Sequence, residues 1–259
     1  MPTDALDPLT AFRLDGRVAI VTGASSGLGA RFARVLDGLG AGVVIAARRT
    51  DRLEALAAEL RDAHPVACDL TEPGAPAALA GAALARFGRI DVLVNNAGRS
   101  EARPALDETT DQFRDDLELN LVAPFELARE CGRAMLDHGG GTVVNVASIL
   151  GIVGGGRLPQ AAYAASKGGL VSLTRDLAAQ WARRGVRVNA LAPGWFRSEM
   201  TEGRMFGDEN AERWMERNTP MGRAGAEHEL DGALAFLASD ASAFVTGQVL
   251  CVDGGWTAV

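Results

Sequence analysis

Val18-Ala19-Ile20-Val21-Thr22-Gly23-Ala24-Ser25-Ser26-Gly27-Leu28-Gly29 is the stretch that decides the fold. It opens with a continuous apolar run and closes on glycines at 23, 27 and 29. An apolar run bounded by glycine reads as a buried strand entering a turn. Glycines there permit a tight turn and let the backbone approach a pyrophosphate closely. A helix starting at this turn would aim its free N–H groups and positive dipole end at such a phosphate. Glycine triplets are weak evidence alone. This one follows the first strand of an α/β alternation and opens a helix, which gives it weight.

The alternation continues to the end of the chain. Further strands are expected at Val43-Val44-Ile45-Ala46, Val66-Ala67-Cys68, Val92-Leu93-Val94, Val143-Val144-Asn145-Val146, Val186-Arg187-Val188-Asn189-Ala190 and Val249-Leu250-Cys251-Val252. Most are continuously apolar rather than alternating, as in strands buried on both faces of a parallel sheet. Helical patterns lie between them, among them Asp51–Asp62, with leucines at 53, 56 and 60, and Ala75–Phe87. The expectation is a doubly wound α/β Rossmann fold, a seven-stranded, mostly parallel sheet with helices on both faces. With no linker, repeat or low-complexity tract, residues 1–259 read as one domain.

Two segments interrupt the rhythm. Gly151–Pro159 is glycine-rich. The second, at 195–223, is a long insertion that mixes Trp195, Phe196, Met200, Met205, Phe206, Trp214, Met215 and Met221 with the charges of Arg197, Glu199, Glu202 and Arg204. It is either a substrate lid or binding loop or a helical hairpin that packs on a partner subunit.

Composition narrows the functional classes. At 47% hydrophobic and 23% charged residues the chain is an ordinary globule. A net charge of −7 argues against a nucleic-acid partner. The stretch Met1-Pro2-Thr3-Asp4-Ala5-Leu6-Asp7 lacks the basic-then-apolar order of a signal peptide. No apolar run reaches the ~20 residues of a bilayer span, so no membrane association is expected. Cys68, Cys131 and Cys251 are too scattered for a disulfide framework, and with His64, His138 and His228 they form no metal-ligand spacing. A reducing, cytoplasmic location is expected.

The chain has a single tyrosine, in Tyr163-Ala164-Ala165-Ser166-Lys167. Residues i and i+4 stack on one helix face. A phenol ordinarily has a pKa of about 10. A fixed ammonium beside it is expected to lower that value and let the pair exchange a proton near neutrality, as alcohol oxidation or ketone reduction requires.

At the end of the second strand stand Ala47, Arg48 and Arg49. An acid commonly binds the ribose 2′-hydroxyl of NAD there. An arginine suits a 2′-phosphate instead. Arg48 therefore favours NADP(H), with NAD(H) possible if both arginines are merely solvated. Asp69 either reaches the adenine amino group or serves a cap or turn.

Together these residues resemble the short-chain dehydrogenase/reductase family in its shorter, one-domain branch. The resemblance rests on Thr22-Gly23-x-x-x-Gly27-x-Gly29, Asn95-Asn96-Ala97-Gly98, Asn120, Ser148, Tyr163 with Lys167, and Pro193-Gly194, and runs from about Leu14 to Trp256. It implies an NADP(H)-dependent oxidoreductase that interconverts a ketone and a secondary alcohol. An NAD(H)-dependent dehydrogenase of a sugar, polyol or hydroxy acid is the alternative. A nicotinamide-binding sensor without chemistry is a third reading, weakened by the presence of all four catalytic positions. By resemblance, Gly23, Ser25, Ser26, Gly27, Leu28 and Gly29 would cradle phosphates and ribose. Asp69 and Leu70 would flank the adenine, and Asn96, Ala97 and Gly98 would lie along the cofactor. Pro193, Gly194 and Ser198 would border the nicotinamide; Ser198 departs from the threonine often found there. Tyr163 would be general acid/base, and Ser148 would position the substrate oxygen. Lys167 would support Tyr163 and hold ribose, and Asn120 would hold a relay water through its backbone carbonyl.

Assembly follows the same resemblance. Leu170, Leu173, Leu177 and Trp181 recur at helical spacing; part of that stripe must cover the sheet, and the remainder, with Phe125 and Leu127, offers a self-complementary patch for a homotetramer or homodimer. The segment Gly247–Val259 would pack across a second two-fold axis.

Overall fold

Every residue of β1, Val18–Thr22, is buried in the computed structural model, which describes residues 7–156, 158–203 and 205–259. The amino-terminal signal-peptide reading through Leu6 and the charge of Arg204 lie outside the described residues. Strands β2 (Gly42–Ala47), β3 (Ala63–Ala67), β4 (Val92–Asn95), β5 (Gly141–Val146), β6 (Val186–Pro193) and β7 (Val249–Val252) complete one sheet of order β3-β2-β1-β4-β5-β6-β7. All six pairings are parallel, so the expected "mostly parallel" sheet is wholly so.

Continuous apolar runs put side chains on both faces. Ala19 and Val21 of β1 pack with Phe32 and Leu36 of α1 (Gly27–Gly38), Leu53 of α2 (Thr50–Ala57) and Leu234 of α8 (Asp231–Ala238). Val18 and Ile20 face the other way. They pack with Leu79 of α3 (Ala75–Phe87), Leu127 of α5 (Ala123–Asp137) and Leu177 of α6 (Ala161–Trp181). Burial at about 25 cal/mol per Å² on both faces is the main force holding the layers.

Two boundaries differ from expectation. The helix expected at Asp51–Asp62 ends at Ala57. The Asp37 carboxylate accepts the Arg61 N–H at 2.9 Å, and Asp62 already accepts from Val43 N at 2.8 Å, so the chain must leave the helix early to start the sheet. Strand β3 accordingly spans Ala63–Ala67 and stops before Cys68. Pro65 is tolerated there because β3 is an edge strand and owes no second ladder of hydrogen bonds.

Helix α4 (Thr110–Leu117) is joined to α5 by one π turn, Glu118–Val122, in which Ala123 N–H reaches Glu118 O. The insertion holds one helix, α7 (Glu209–Asn218), capped by Asp208, instead of a hairpin. Met205, Phe206 and Met215 make a small separate core beneath it. Trp195, Trp214 and Trp256 meet edge-on, with centroids 5.4–6.4 Å apart, joining this unit to the carboxyl-terminal turn.

Candidate active site

Strand order reverses direction at β1, so the loops after β1 and β4 diverge and leave a crevice at the strands' carboxyl ends. Two adjoining cavities fill it. One, of about 710 Å³, is lined by Gly23, Ser25, Ser26, Arg48, Asp69, Leu70, Ala97 and Gly98, with Arg49 and Arg99. The other, of about 200 Å³, is lined by Gly27, Leu28, Gly29, Asn96, Ser148, Tyr163, Lys167, Pro193, Gly194 and Ser198. Every residue expected to touch cofactor or substrate borders one or the other, and Asn120 is fully buried.

The glycine turn is built for close approach. Gly23 has φ 66°, a conformation that disfavours side chains. A Cβ on Gly29 would lie 2.2 Å from the Gly23 carbonyl oxygen. No side chain caps α1, so the N–H groups of its first turn are left for an incoming anion. Thr22 Oγ1 accepts from Asn96 N and Ala97 N, both at 3.0 Å, and Asn96 Nδ2 donates to Thr22 O at 2.9 Å. The Asn96 amide thus clamps β1 to β4, while Ala97 and Gly98 form the cleft floor. These features fit a dinucleotide: a bare helix N-terminus, a glycine cradle and a long polar-edged cleft.

At the end of the larger cavity beside β2, Arg48 is largely exposed and stands 3.7 Å from Asp69. Asp69 forms a turn, its Oδ1 accepting from Thr71 N at 3.0 Å and Thr71 Oγ1 at 2.8 Å. Arg49 is the arginine that reaches inward, donating to Ser25 Oγ and Ser26 Oγ at 2.7–3.1 Å. Sequence reasoning had treated it only as Arg48's neighbour.

At the other end three side chains converge. Ser148 Oγ accepts from Leu150 N at 3.1 Å, which leaves its own hydrogen for the Tyr163 oxygen, to which it is hydrogen-bonded. Lys167 is 4% exposed, and its ammonium donates to Val146 O at 2.8 Å. Burial pushes the ammonium down to about 8. The same cause raises the Tyr163 phenol above its ordinary value, opposed only by the Ser148 hydrogen bond. The direction is opposite to the expected lysine-lowered phenol: Nζ lies 5.6 Å from the ring centroid, and burial sets the sign in the cofactor-free cleft.

Asn120 sits on the π turn, where functional helices are often interrupted. Its amide donates to Arg99 O at 2.9 Å and Ser166 Oγ at 3.2 Å, and accepts from Arg99 N at 2.9 Å. Ser166 in turn donates to Tyr163 O at 2.7 Å. Asn120 therefore ties the loop after β4 to the helix bearing Tyr163. Ser198 binds within its own loop, its N–H donating to Thr201 Oγ1 at 2.9 Å. A proton donor, a hydroxyl beside it and a buried cation at the end of a dinucleotide cleft can transfer a proton to or from an oxygen next to a hydride carrier.

The comparisons agree. A family described as enoyl-(acyl carrier protein) reductase matches residues 23–257. Galactitol 2-dehydrogenase (L-tagatose-forming) of Cereibacter sphaeroides is 41% identical over 254 residues, 97% of this chain and 99% of that one. A short-chain type dehydrogenase/reductase from Mycobacterium marinum superposes with a TM-score of 0.93 at 34% identity, over 98% of this chain and 100% of the other. A gluconate 5-dehydrogenase from Burkholderia cenocepacia, solved with NADP and tartrate, superposes at 0.92 with 37% identity, over 98% and 100%. Fold and cleft thus define an NAD(P)-dependent oxidoreductase acting on CH–OH groups. The chain belongs to the short-chain dehydrogenase/reductase family.

Proposed function

We propose that the chain is an NADP(H)-dependent dehydrogenase that interconverts a secondary alcohol and a ketone on a polyol or sugar-acid substrate. The observation that carries this reading is the convergence of Ser148, Tyr163 and Lys167 at one end of a cleft whose other end presents Arg48 and Arg49. The names of the galactitol and gluconate dehydrogenases, and the NADP in the latter's structure, support the substrate class and the phosphorylated cofactor.

The bound nicotinamide would supply or accept the hydride. In the reductive direction Tyr163 donates its proton to the carbonyl oxygen as negative charge grows there. With substrate in place the Ser148 hydroxyl hydrogen would turn from the phenol to the same oxygen and fix its position. Lys167 lies under the phenol, held by Val146, and stabilises the tyrosinate. Asn120 positions α6 through Ser166.

Assembly into a homotetramer is part of this proposal. Val122 at the end of the π turn and Phe125 on α5 are exposed, as are Phe244 and Val259 toward the carboxyl terminus, and these apolar positions support it. Leu127, expected in the same patch as Phe125, is fully buried in the chain's own core and is withdrawn from it, while Leu170 and Leu177 are the part of the α6 stripe that is buried within the chain. A cytoplasmic location also belongs here: the described cysteines are all free thiols, and no helix among the described residues is long and apolar enough to cross a membrane.

Turnover assays with NADP+ and NAD+ across galactitol, gluconate, a hydroxysteroid and a 3-hydroxyacyl thioester test the reading. Fastest turnover of a polyol or sugar acid with NADP+ is expected. Turnover confined to NAD+ would overturn the cofactor choice, and saturable NADPH binding without turnover of any substrate would leave the sensor.

A further inference from the structure

Glu199 belongs to the loop between β6 and α7, yet its carboxylate is seated in the opposite wall of the cleft. It accepts from Ser26 Oγ at 3.0 Å, Arg49 Nη1 at 2.9 Å and Arg52 Nη1 at 2.5 Å. Arg49 is itself braced on the Ser25 and Ser26 hydroxyls. Two guanidinium groups and a hydroxyl converging on one point make a seat for an anion with several oxygens. The seat lies between the glycine turn and the start of α2, bordering the larger cavity beside Ala47 and Arg48. Arg52, then Arg49 and Ser26, hold the Glu199 carboxyl down to about 2 against its partial desolvation, so it is charged throughout the neutral range.

The loop has a second attachment to the chemistry. Glu199 and Met200 border both cavities, and Phe196, Ser198 and Thr201 line the one that contains Tyr163. The ion pairs of Glu199 span the mouth of the cleft and tie the nicotinamide-side loop to the adenosine-side arginines. A carboxylate in this position occupies the place and partners that a phosphate monoester would use.

We infer that Glu199 is an internal stand-in for phosphate: it fills the Ser26–Arg49–Arg52 seat and pins the 196–201 loop across the cleft, and a nucleotide bearing a ribose 2′-phosphate displaces it and frees the loop. This rests on the dinucleotide reading above and extends it to how the chain discriminates between cofactors. A nucleotide without the extra phosphate leaves the pin in place. One that carries it must compete with Glu199, so Glu199 lowers affinity for the phosphorylated nucleotide and couples its arrival to the substrate side.

The test is calorimetric titration of wild type and Glu199→Gln with adenosine 2′,5′-bisphosphate and with 5′-AMP, together with hydrogen exchange over residues 196–203. Glu199→Gln is expected to bind the bisphosphate about tenfold tighter, the size of one charge-assisted contact no longer in competition, and 5′-AMP within about twofold. In wild type the bisphosphate is expected to speed exchange of the loop amides; in Glu199→Gln they exchange fast without it. Bisphosphate binding that is unchanged or weakened in Glu199→Gln, or wild-type loop exchange that does not respond to saturating bisphosphate, would overturn the inference while leaving the cofactor site intact. Failure of both proteins to bind either nucleotide would remove the cofactor reading and the pin with it.

Discussion

The Lys167 ammonium, in the second turn of α6, donates to the carbonyl oxygen of Val146, the last residue of β5, at 2.8 Å. This bond locks the catalytic helix to the strand whose continuation presents Ser148. It also leaves the cation buried with no carboxylate partner among the described residues, at a cost that burial alone sets. An uncompensated buried charge is retained against stability, which points to use in the site.

Tyr163→Phe should lose about 10²–10⁴-fold in kcat, the usual worth of a general acid. NADPH affinity, read by nucleotide fluorescence titration, should stay within about threefold, because the phenyl ring keeps its packing. Wild-type kcat in the variant would sink the mechanism.

Because the chain has one tyrosine, its phenol can be titrated by absorbance without overlap from another. In the cofactor-free protein it should ionise above its ordinary value of 10.0, since burial outweighs the Ser148 hydrogen bond. Ser148→Ala should push the ionisation higher still. A midpoint near neutrality in the free protein would contradict the burial argument.

Lys167 gives a stability signature with a definite sign. Its folded pKa of about 8 lies below the ordinary 10.5, so between those values the unfolded chain binds more protons and wild-type stability rises with pH. At about 1.4 kcal/mol per unit the buried ammonium costs on the order of 3 kcal/mol at neutral pH. Against Lys167→Met, wild type should therefore gain relative melting temperature from about pH 8 to about pH 10.5, and turnover should collapse in the variant. A pH-independent difference between the two melting curves would refute the assignment.

Arg48→Asp should lower the NADPH-over-NADH ratio of kcat/KM by about thirtyfold, or ~2 kcal/mol, through a lost contact and an added repulsion. Arg49→Ala should weaken NADPH further than NADH, because Arg49 belongs to the seat proposed for the 2′-phosphate, while NADH should lose only what the bracing of the Ser25–Ser26 turn contributes. An unchanged ratio in Arg48→Asp would show that Arg48 does not read the phosphate.

Light scattering at micromolar concentration should give about four times the chain mass of 27.0 kDa. Phe125→Glu, which charges an exposed apolar position on α5, should reduce it by at least half. A wild-type mass equal to one chain would exclude both oligomers.

What was legible in the sequence was whatever local chemistry dictates. β1 and its turn could be read because every strand position is buried and the turn needs glycine at Gly23. Tyr163 and Lys167 could be read because a helix fixes their spacing. The end of α2 was hidden because a distant carboxylate, Asp37, pulls the chain out of its helix. The burial of Leu127 was obscured by the π turn, which shifts the phase of every helical residue after it. Glu199 was visible only as one more surface charge, since Ser26, Arg49 and Arg52, its partners, lie in another part of the chain. The raised phenol escaped because its cause is the solvent excluded around it, which no spacing records.

The π turn at Glu118–Val122 is in effect a helix with one surplus residue, and α5 follows directly from it. A one-residue deletion inside an ordinary helix rotates everything downstream by about 100° and ruins its packing. Here the same deletion would convert the turn to regular helix and return α5 to its present seat, while taking Asn120 off its hold on Arg99 and Ser166. Heritable length change at this point therefore separates folding from activity: deleting Leu119 should give a chain with near-native circular dichroism and little turnover.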